Sequence, residues 1–375
     1  MTTPRLALVA AVLTIAAPQA RAFHRTTPPV VPITTSGDDP LPRLPSLGDR
    51  LSISLGSQIF RFDRHLNVLD PVTTTGDNAN PTISSGGSII AWDTDCDLIS
   101  CQSPGRQIFM RAGPISFQAT FDETGTSANP SLNGRGNRLA FESGGDLAAT
   151  GTTGISQIFL RLNDESFTQI SSGLGASRNA TLSKSGRAIA FDSTSDSVTG
   201  ADTGVSQIWL STRPGDMKVL TAGAAPSRKP VIAANGRMVA FESRADLAGD
   251  GSDTGKWQIF AYDVTTGAYY QVTKDPVGCT SPSIDDISAG DFRVGYSCNG
   301  HGYLHNVRAN TRYLLPIPAE GDTPQAVVEL GVHFVVVSTT ADMMNGSGTT
   351  AGHQIYLLNL FKLPATSVPS DEVQF

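Results

Sequence analysis

The sequence has 375 residues, of which 16% are charged, and its formal net charge is −7. A protein that binds nucleic acid needs a basic surface, so this charge argues against that class of partner. The 37 glycines, 23 prolines and short apolar runs favour an all-β domain with many turns over a helical one.

The N-terminus is typical of a secretory signal peptide. A basic start at Arg5 is followed by an apolar run from Leu6 to Ala17 and by the small-x-small sequence Ala20-Arg21-Ala22. This run is shorter than a transmembrane helix, and no later run is long enough to span a bilayer. We therefore expect cleavage after Ala22, which removes residues 1–22, and a mature protein that is periplasmic or secreted.

A Gln-Ile-aromatic motif recurs along the chain. Its glutamines are Gln58, Gln107, Gln157, Gln207, Gln258 and Gln354. Successive copies are 49, 50, 50, 51 and 96 residues apart, so the last step is nearly two periods. A fixed period predicts repeats that share one continuous core, rather than separate domains.

A second block recurs upstream of each motif. It reads "NPTISSGGSIIAWDT" (80–94), "NPSLNGRGNRLAFES" (129–143), "NATLSKSGRAIAFDS" (179–193) and "KPVIAANGRMVAFES" (229–243). Each copy is typical of a strand, a glycine-containing turn and a second strand that ends in Ala-aromatic-acid. The Gln-Ile-aromatic segment is a third strand and a fourth follows it, so each unit predicts one four-stranded antiparallel β-propeller blade.

The units begin near residues 45, 81, 130, 179, 229, 281 and 323. The sixth has Gly302–Val307 in place of the motif, and the seventh lacks a convincing fourth strand. Residues 31–40 resemble residues 70–81, the fourth strand and exit turn of the first unit, so residues 30–36 are predicted to close the last blade. The prediction is one monomeric seven-bladed propeller over residues 23–362, followed by a tail over 363–375. Six blades with an irregular N-terminal segment are the alternative.

The repeat resembles the TolB-type, WD-like β-propeller repeat over nearly all of residues 45–360. The Pro-x-Ile/Leu-Ser-x-x-Gly-x-x-Ile/Val-Ala-Phe pattern and the following Gln-Ile-Phe/Tyr carry the resemblance. The family usually has Asp before the turn glycine, where this chain has Gly86, Arg135, Ser185 and Asn235, so the chain is a divergent member. TolB also has an N-terminal α/β domain, for which residues 23–42 leave no room. The resemblance specifies the fold far better than the function.

The four cysteines fit an oxidising compartment. Cys96 and Cys101 share one predicted loop, and Cys279 and Cys298 flank two successive predicted strands. We therefore predict the disulfides Cys96–Cys101 and Cys279–Cys298. A zinc site is disfavoured, because the sequence has no C-x-x-C pair with matching histidine spacing.

The loops between the second and third strands are the longest, and they should emerge on the same face of the ring as the connections between blades. One acid keeps its register in these loops, at Asp97, Asp146, Asp196, Asp246 and Asp342. The acids could form a ring of carboxylates that attracts a cationic partner or holds Ca²⁺. The favoured alternative is that each Asp side chain accepts hydrogen bonds from its own turn, as a structural role in every blade requires.

The connections between blades carry Arg178, Arg228, Lys229 and Asn129, with Asn80 at the equivalent place in the second unit. These residues lead into the innermost strands, so they should stand near the mouth of the central channel. They could recognise a carboxylate or a sugar there. Ion pairing with the in-register loop aspartates is the favoured alternative.

Asp93, Asp95 and Asp97 are carboxylates at alternate positions, as Ca²⁺-binding loops use. They are a weak calcium candidate, because the glycine and the distal glutamate of a helix-loop-helix site are absent. The sequence indicates no other cofactor.

Signs of an enzyme are scarce. The sequence has no G-x-S-x-G motif, and His301, His305 and His353 could act together only if the last two blades brought them close. The leading interpretation is therefore a scaffold that binds an envelope or extracellular protein, or a glycan, through the loop face and the channel mouth. The alternative is a metal-assisted polysaccharide lyase or hydrolase, which some propellers of this type are.

Overall fold

The computed structural model describes residues 30–34, 41–43, 50–95, 105–122, 125–151, 154–196, 198–213, 215–249, 255–288, 291–318, 327–330, 334–344, 349–360 and 367–368. The predicted signal peptide, the Cys96–Cys101 pair and Asp97 lie outside these residues. Within them, no helix has the length and apolar character needed to cross a membrane.

Seven antiparallel sheets form the blades of a ring. In each blade the strands are numbered 1 to 4 in the order of their pairing. Blade 1 has Leu41–Arg43, Arg50–Leu55, Gln58–Asp63 and Val68–Pro71, and blade 2 has Asn78–Ile83, Ile89–Thr94, Gln107–Ala112 and Ile115–Gln118. Blade 3 has Ser127–Leu132, Leu139–Ser143, Gln157–Arg161 and Phe167–Gln169, and blade 4 has Ser177–Leu182, Ile189–Ser195, Asp202–Arg213 and Asp216–Val219.

The last three blades follow the same order, with two additions from the chain ends. Blade 5 has Ser227–Ile232, Met238–Ser243, Gln258–Asp263 and Tyr269–Gln271. Blade 6 has Cys279–Ser288, Asp291–Cys298, His301–Asn306 and Thr311–Leu314, and Ser367–Val368 pairs with its strand 4. Blade 7 has Val327–Leu330, Phe334–Ala341 and Thr349–Asn359, and its strand 4 is Val30–Pro32.

The ring is closed by a strand from the opposite end of the chain. Val30–Pro32 pairs antiparallel with strand 3 of blade 7, with Val31 opposite Leu357. The first strands contact one another around the channel, and that of blade 7 contacts that of blade 1. The predicted seven-bladed, N-terminally closed propeller is confirmed, and the six-blade alternative is wrong.

The core lies between the blades, because each blade has one bulky face and one small face. In blade 4, Phe191 and Trp209 stack with their ring centroids 6.4 Å apart. They pack in one buried cluster with Ala140 and Ile158 of blade 3. Alternating strand residues reach opposite faces of a sheet, so the repeated sequence supplies both halves of this contact in every blade.

The repeated glutamine holds the backbone where the chain leaves strand 4 of its blade. In blade 3, the Gln157 amide donates to the Gly175 carbonyl oxygen at 3.1 Å and accepts from the Ser171 hydroxyl at 2.7 Å. That hydroxyl accepts from the backbone N–H of Ile158 at 2.8 Å. The same three bonds recur with the pairs Gln58–Thr73, Gln107–Thr120, Gln207–Thr221 and Gln258–Thr273.

Blade 7 uses the same hydroxyl across the closure of the ring. Thr34 lies just past the closing strand, donates to the Gln354 side-chain oxygen at 3.4 Å and accepts from the Ile355 N–H at 2.9 Å. The N-terminal segment therefore reproduces two of the three bonds that a covalently connected strand 4 makes in blades 1 to 5.

The predicted Cys279–Cys298 disulfide is present and joins strands 1 and 2 of blade 6. In blades 3, 4 and 5, the same register holds serine pairs whose hydroxyl oxygens lie 3.2, 2.9 and 2.9 Å apart. The pair in blade 5 is Ser227–Ser243. Blade 6 thus has a covalent bond at the position where its neighbours have a hydrogen bond.

We expect Thr34→Val to lower the free energy of unfolding by about 1–3 kcal/mol, because the buried Ile355 N–H and Gln354 oxygen lose their partner. Urea denaturation of the variant measures the loss. Thr168→Val is the control, because no described residue hydrogen-bonds to that hydroxyl. Equal midpoints for the two variants would show that Thr34 does not secure the closure.

The double variant Cys279→Ser, Cys298→Ser restores the serine pair of blades 3 to 5. The native disulfide spans 19 residues, and loop-closure entropy predicts a loss of about 3 kcal/mol on its removal. The urea midpoint of the variant should therefore lie below that of the oxidised protein and close to that of the protein treated with a thiol reductant. An unchanged midpoint under oxidising conditions would contradict the prediction.

Candidate binding face

The 2–3 loops and the connections between blades lie on one face of the ring, as the strand order predicts. The Leu174 N–H, in the connection into blade 4, donates to the Gly200 carbonyl oxygen of that blade's 2–3 loop at 2.7 Å. The Arg244 N–H and the Pro226 carbonyl oxygen make the corresponding contact in blade 5 at 3.0 Å. We call this side of the ring the loop face.

The loop aspartates organise their own turns. The Asp146 carboxylate accepts from the N–H groups of Thr150 and Gly151 at 2.6 and 2.8 Å, and Asp196 accepts from the Thr199 N–H at 2.7 Å. Asp246 accepts from Gly249 at 2.9 Å and Asp342 from Met344 at 3.0 Å. Each of these four therefore fills the turn role that the sequence argument favoured.

The backbone bonds in these turns have an electrostatic effect. Donation from Gly151 lowers the pKa of Asp146, and donation from Thr199 lowers the pKa of Asp196. Both carboxylates are therefore charged at neutral pH, and each is held by its own loop.

A second set of carboxylates, at the end of strand 2, ties neighbouring blades together. Glu142 of blade 3 accepts from the Asn129 side-chain amide at 2.9 Å and from the Asn179 backbone N–H of blade 4 at 2.7 Å. Asp192 of blade 4 accepts from the Asn179 side chain at 2.8 Å and from the Lys229 N–H of blade 5 at 2.9 Å. We call this arrangement the carboxylate clasp.

The clasp extends over blades 2 to 6. Asp93 accepts from the Asn80 side chain at 2.8 Å and from the Asn129 N–H at 2.9 Å, and Glu242 accepts from the Ser281 N–H at 2.9 Å. All four acids are buried. Their charges are therefore offset by hydrogen bonds from two blades, as buried carboxylates require.

The N–H groups of the clasp come from residues with a left-handed backbone. The φ angles of Asn80, Asn129, Asn179, Lys229 and Ser281 lie between 49° and 59°. Strand 1 has a register shift at this point in blades 2 to 6. In blades 3 to 6 the bulge directs a backbone N–H toward the acid of the preceding blade, and asparagine tolerates this conformation better than most residues.

The predicted channel-mouth residues are mostly part of the clasp. The Arg228 Nε lies 2.7 Å from a Glu242 carboxylate oxygen, and the Lys229 Nζ lies 3.7 Å from the other. Ion pairing was the favoured alternative, but for these two cations the partner is the buried acid of strand 2 rather than a loop aspartate. Arg178 is exposed and forms no ion pair within 4.0 Å with the residues that the structure describes.

The calcium candidate is not assembled among the described residues. The Asp93 carboxylate oxygens contact the Arg106 Nε and the Asn80 amide, each at 2.8 Å. One Asp95 oxygen accepts from the Asp77 N–H at 2.9 Å. Because Asp93 is committed to the clasp, it cannot turn to a cation beside Asp95 without leaving buried donors unsatisfied.

The three histidines do not meet in the described part of the chain. His301 and His305 lie on one strand, about 13 Å apart at the usual rise per residue. Burial lowers the pKa of His305 to about 4, and His353 Nδ1 lies 3.4 Å from the Ser338 hydroxyl oxygen of blade 7. The described three-ligand group is Asp275, Cys279 and Cys298, and its cysteines form the disulfide.

Five exposed large apolar side chains among the described residues lie on the loop face, and no sequence pattern marks them. Phe121, Leu174 and Val277 stand in connections between blades and are 71%, 68% and 64% exposed. Val198 and Met344 stand in 2–3 loops and are 90% and 56% exposed. The other exposed large apolar residues that the structure describes lie at the 3–4 turns of the opposite face: Leu66, Val68 and Ile115.

Neither a protein-family model nor a curated protein matches this chain. Solved structures do match it. An oligogalacturonate lyase in complex with manganese is 12% identical, with a TM-score of 0.61 over 90% of this chain and 93% of the lyase chain. The β-propeller domain of the Trilobed protease from Pyrococcus furiosus is 11% identical, with a TM-score of 0.55 over 88% of this chain and 96% of that domain.

TolB from Acinetobacter baumannii is 16% identical, with a TM-score of 0.48 over 71% of this chain. The match spans 63% of the length of that TolB chain. At identities this low, a structural match supports a similarity of fold and nothing more. The seven blades define the chain as a β-propeller, and its repeat motif resembles the TolB-type repeat.

Burial raises the pKa of Glu142 and that of Asp192 above the ordinary carboxyl range. An acid with a raised folded-state pKa stabilises the fold below its unfolded pKa, and this contribution is lost as the pH rises through the folded value. Glu142→Gln keeps an acceptor oxygen but cannot ionise. It should therefore remove the loss of unfolding free energy that Glu142 causes as the pH rises. Glu142→Ala orphans the Asn129 amide and the Asn179 N–H and should cost about 1–3 kcal/mol.

Urea denaturation from pH 4 to pH 8 distinguishes the two variants. The glutamine variant should match or exceed the wild type at pH 8, while the alanine variant should be weaker throughout. A glutamine variant as unstable as the alanine variant would show that the clasp needs the charge itself.

Proposed function

We propose that this protein is an exported scaffold that binds an envelope or extracellular protein through its loop face. The observation that carries the proposal is the group of exposed apolar side chains at Phe121, Leu174 and Val277. A contiguous exposed apolar patch marks an interaction site, and in this proposal these side chains contribute to such a patch on the loop face. Together with the neighbouring loops, they offer a partner apolar area to bury.

Hydrogen bonds hold the backbone on both sides of Phe121 and Leu174. Phe121 lies between Thr120 and Asp122, and both of these bond to Gln107, at 2.9 Å from the Thr120 hydroxyl and 3.1 Å from the Asp122 N–H. Leu174 lies between two glycine carbonyl groups that accept from the Gln157 amide at 3.2 and 3.1 Å. A surface fixed in this way loses little conformational entropy when a partner binds.

The fold does not need large apolar residues at these connections. The connection that leaves blade 1 carries Thr74, Thr75 and Gly76, and the one that leaves blade 4 carries Ala222, Gly223 and Ala224. Both make the glutamine bonds with small or polar residues. The apolar residues of the other connections are therefore a feature of the surface rather than a requirement of the blade.

Affinity capture from an envelope extract tests the proposal. The mature wild-type protein is compared with the triple variant Phe121→Ser, Leu174→Ser, Val277→Ser. The matched control is Leu66→Ser, Val68→Ser, Ile115→Ser on the opposite face. We expect a protein that the wild type and the control retain and the loop-face variant loses, with affinity at least about tenfold weaker because buried apolar anchors dominate interfaces.

Circular dichroism and thermal melting confirm that all three baits are folded. A partner retained equally by the loop-face variant would place binding elsewhere. Folded baits that retain no protein, or that retain only polysaccharide, would contradict a protein-binding scaffold.

A further inference from the structure

Two guanidinium groups and one indole ring meet on the loop face of blade 5. The Cζ atoms of Arg228 and Arg244 lie 3.9 and 4.7 Å from the centroid of the Trp257 ring. Both distances are within the range of cation–π attraction, which fixes the position of each guanidinium. We call Arg228, Arg244 and Trp257 the Trp257 cluster.

The blade repeat does not require this cluster. Trp257 immediately precedes the motif glutamine, where blades 1, 3 and 4 have Ser57, Ser156 and Ser206. Arg244 follows strand 2, where blades 3 and 4 have Gly144 and Thr194. Blades 3 and 4 form with small residues at both positions. The tryptophan and the second arginine are therefore additions to the loop face that the blade does not need.

The cluster presents donors that the described residues around it do not use. Arg228 gives its Nε to Glu242 in the clasp. The Arg244 side chain is exposed, and its guanidinium makes no hydrogen bond or ion pair with the described residues. A guanidinium stacked on an aromatic ring keeps its in-plane N–H groups for a carboxylate, which it can bind through two parallel bonds.

The cluster adjoins the apolar part of the loop face. The Trp257 carbonyl oxygen accepts from the Cys279 N–H at 2.7 Å, which ties the connection bearing Val277 to the cluster. The Val277 side chain is 64% exposed. The Lys229 Nζ lies 3.7 Å from a Glu242 carboxylate oxygen, and 49% of its side chain is exposed. Cationic side chains therefore lie beside the connection that carries Val277.

The hydrogen-bonding groups of the cluster determine which class of ligand it can bind. Arginine, lysine and tryptophan side chains are hydrogen-bond donors only. Of the described acids nearby, Glu242 is buried in the clasp and Asp246 accepts from its own turn. A sugar chain brings hydroxyl donors that need acceptors, whereas a carboxylate brings only acceptors. An acidic peptide with apolar residues matches both kinds of side chain, because its carboxylates meet the arginines and its apolar side chains meet Val277.

We propose that the Trp257 cluster binds the carboxylates of an acidic peptide segment in the protein partner. The inference rests on the proposed scaffold function and specifies the chemistry of its partner. It also assigns a location, blade 5 and the connection that leaves it, within the wider loop face.

Selection from a random-peptide display library tests the inference. The baits are the mature protein, the variant Arg244→Thr, Trp257→Ser, which carries the residues of blade 4, and the control Arg213→Thr on the opposite face. Peptides retained by the wild type and the control should be enriched in Asp and Glu over the library, and the cluster variant should lose this enrichment.

One selected peptide is then titrated by fluorescence anisotropy beside its Asn/Gln counterpart and beside trigalacturonate. We expect at least about tenfold weaker binding for the amide peptide and for the cluster variant, and weakening with added salt. Selection without acidic enrichment, no retained peptides, or equal binding by the cluster variant would each overturn the inference. Binding of trigalacturonate that depends on Trp257, without acidic peptides, would assign the cluster to glycan instead.

The capture experiment separates this inference from the scaffold proposal. A partner lost by the Phe121, Leu174 and Val277 variant but retained by the cluster variant would refute the peptide site and leave the scaffold standing. A wild-type bait that captures no protein would refute the scaffold whatever the peptides show.

Discussion

The carboxylate clasp is the interaction on which the mouth of the ring depends. Each clasp acid of blades 2 to 5 accepts at least one hydrogen bond within its own blade and one from the backbone of the next blade. Such an acid cannot be buried until the neighbouring blade supplies its donor, so burial of the charge and stacking of the blades are coupled. The clasp also commits Asn129, Asn179 and Lys229 to structure, which leaves the loop face and its connections as the surface for partners.

The remaining blades hold together differently. At the position of the clasp acid, blades 6, 7 and 1 have Ser297, Ser338 and Ser54. Blade 6 has instead the disulfide within its own sheet, and blade 7 has the hydrogen bonds of Thr34. The part of the ring that lacks the clasp acids is thus the part that contains the covalent cross-link and the junction of the two chain ends.

The fold could be predicted from the sequence because its signals are local and periodic. The spacing of the glutamines gave the repeat, and the likeness of residues 31–40 to residues 70–81 gave the closure. The clasp could not be predicted, although the acid of Ala-aromatic-acid was evident, because its partner is a backbone N–H of another blade. That N–H is placed by a left-handed bulge that no residue type demands, as Lys229 and Ser281 show. The Trp257 cluster likewise joins residues separated in sequence, and only the register of strands 1 to 3 brings them together.

The use of a backbone donor at each blade junction has a consequence for sequence divergence. A contact made by a main-chain N–H survives replacement of the side chain that carries it. The donor residue is asparagine in two junctions, lysine in the next and serine in the last. Mutation can therefore accumulate at the blade junctions while the blade spacing persists, which fits a fold shared with structures of only 11% and 12% identity.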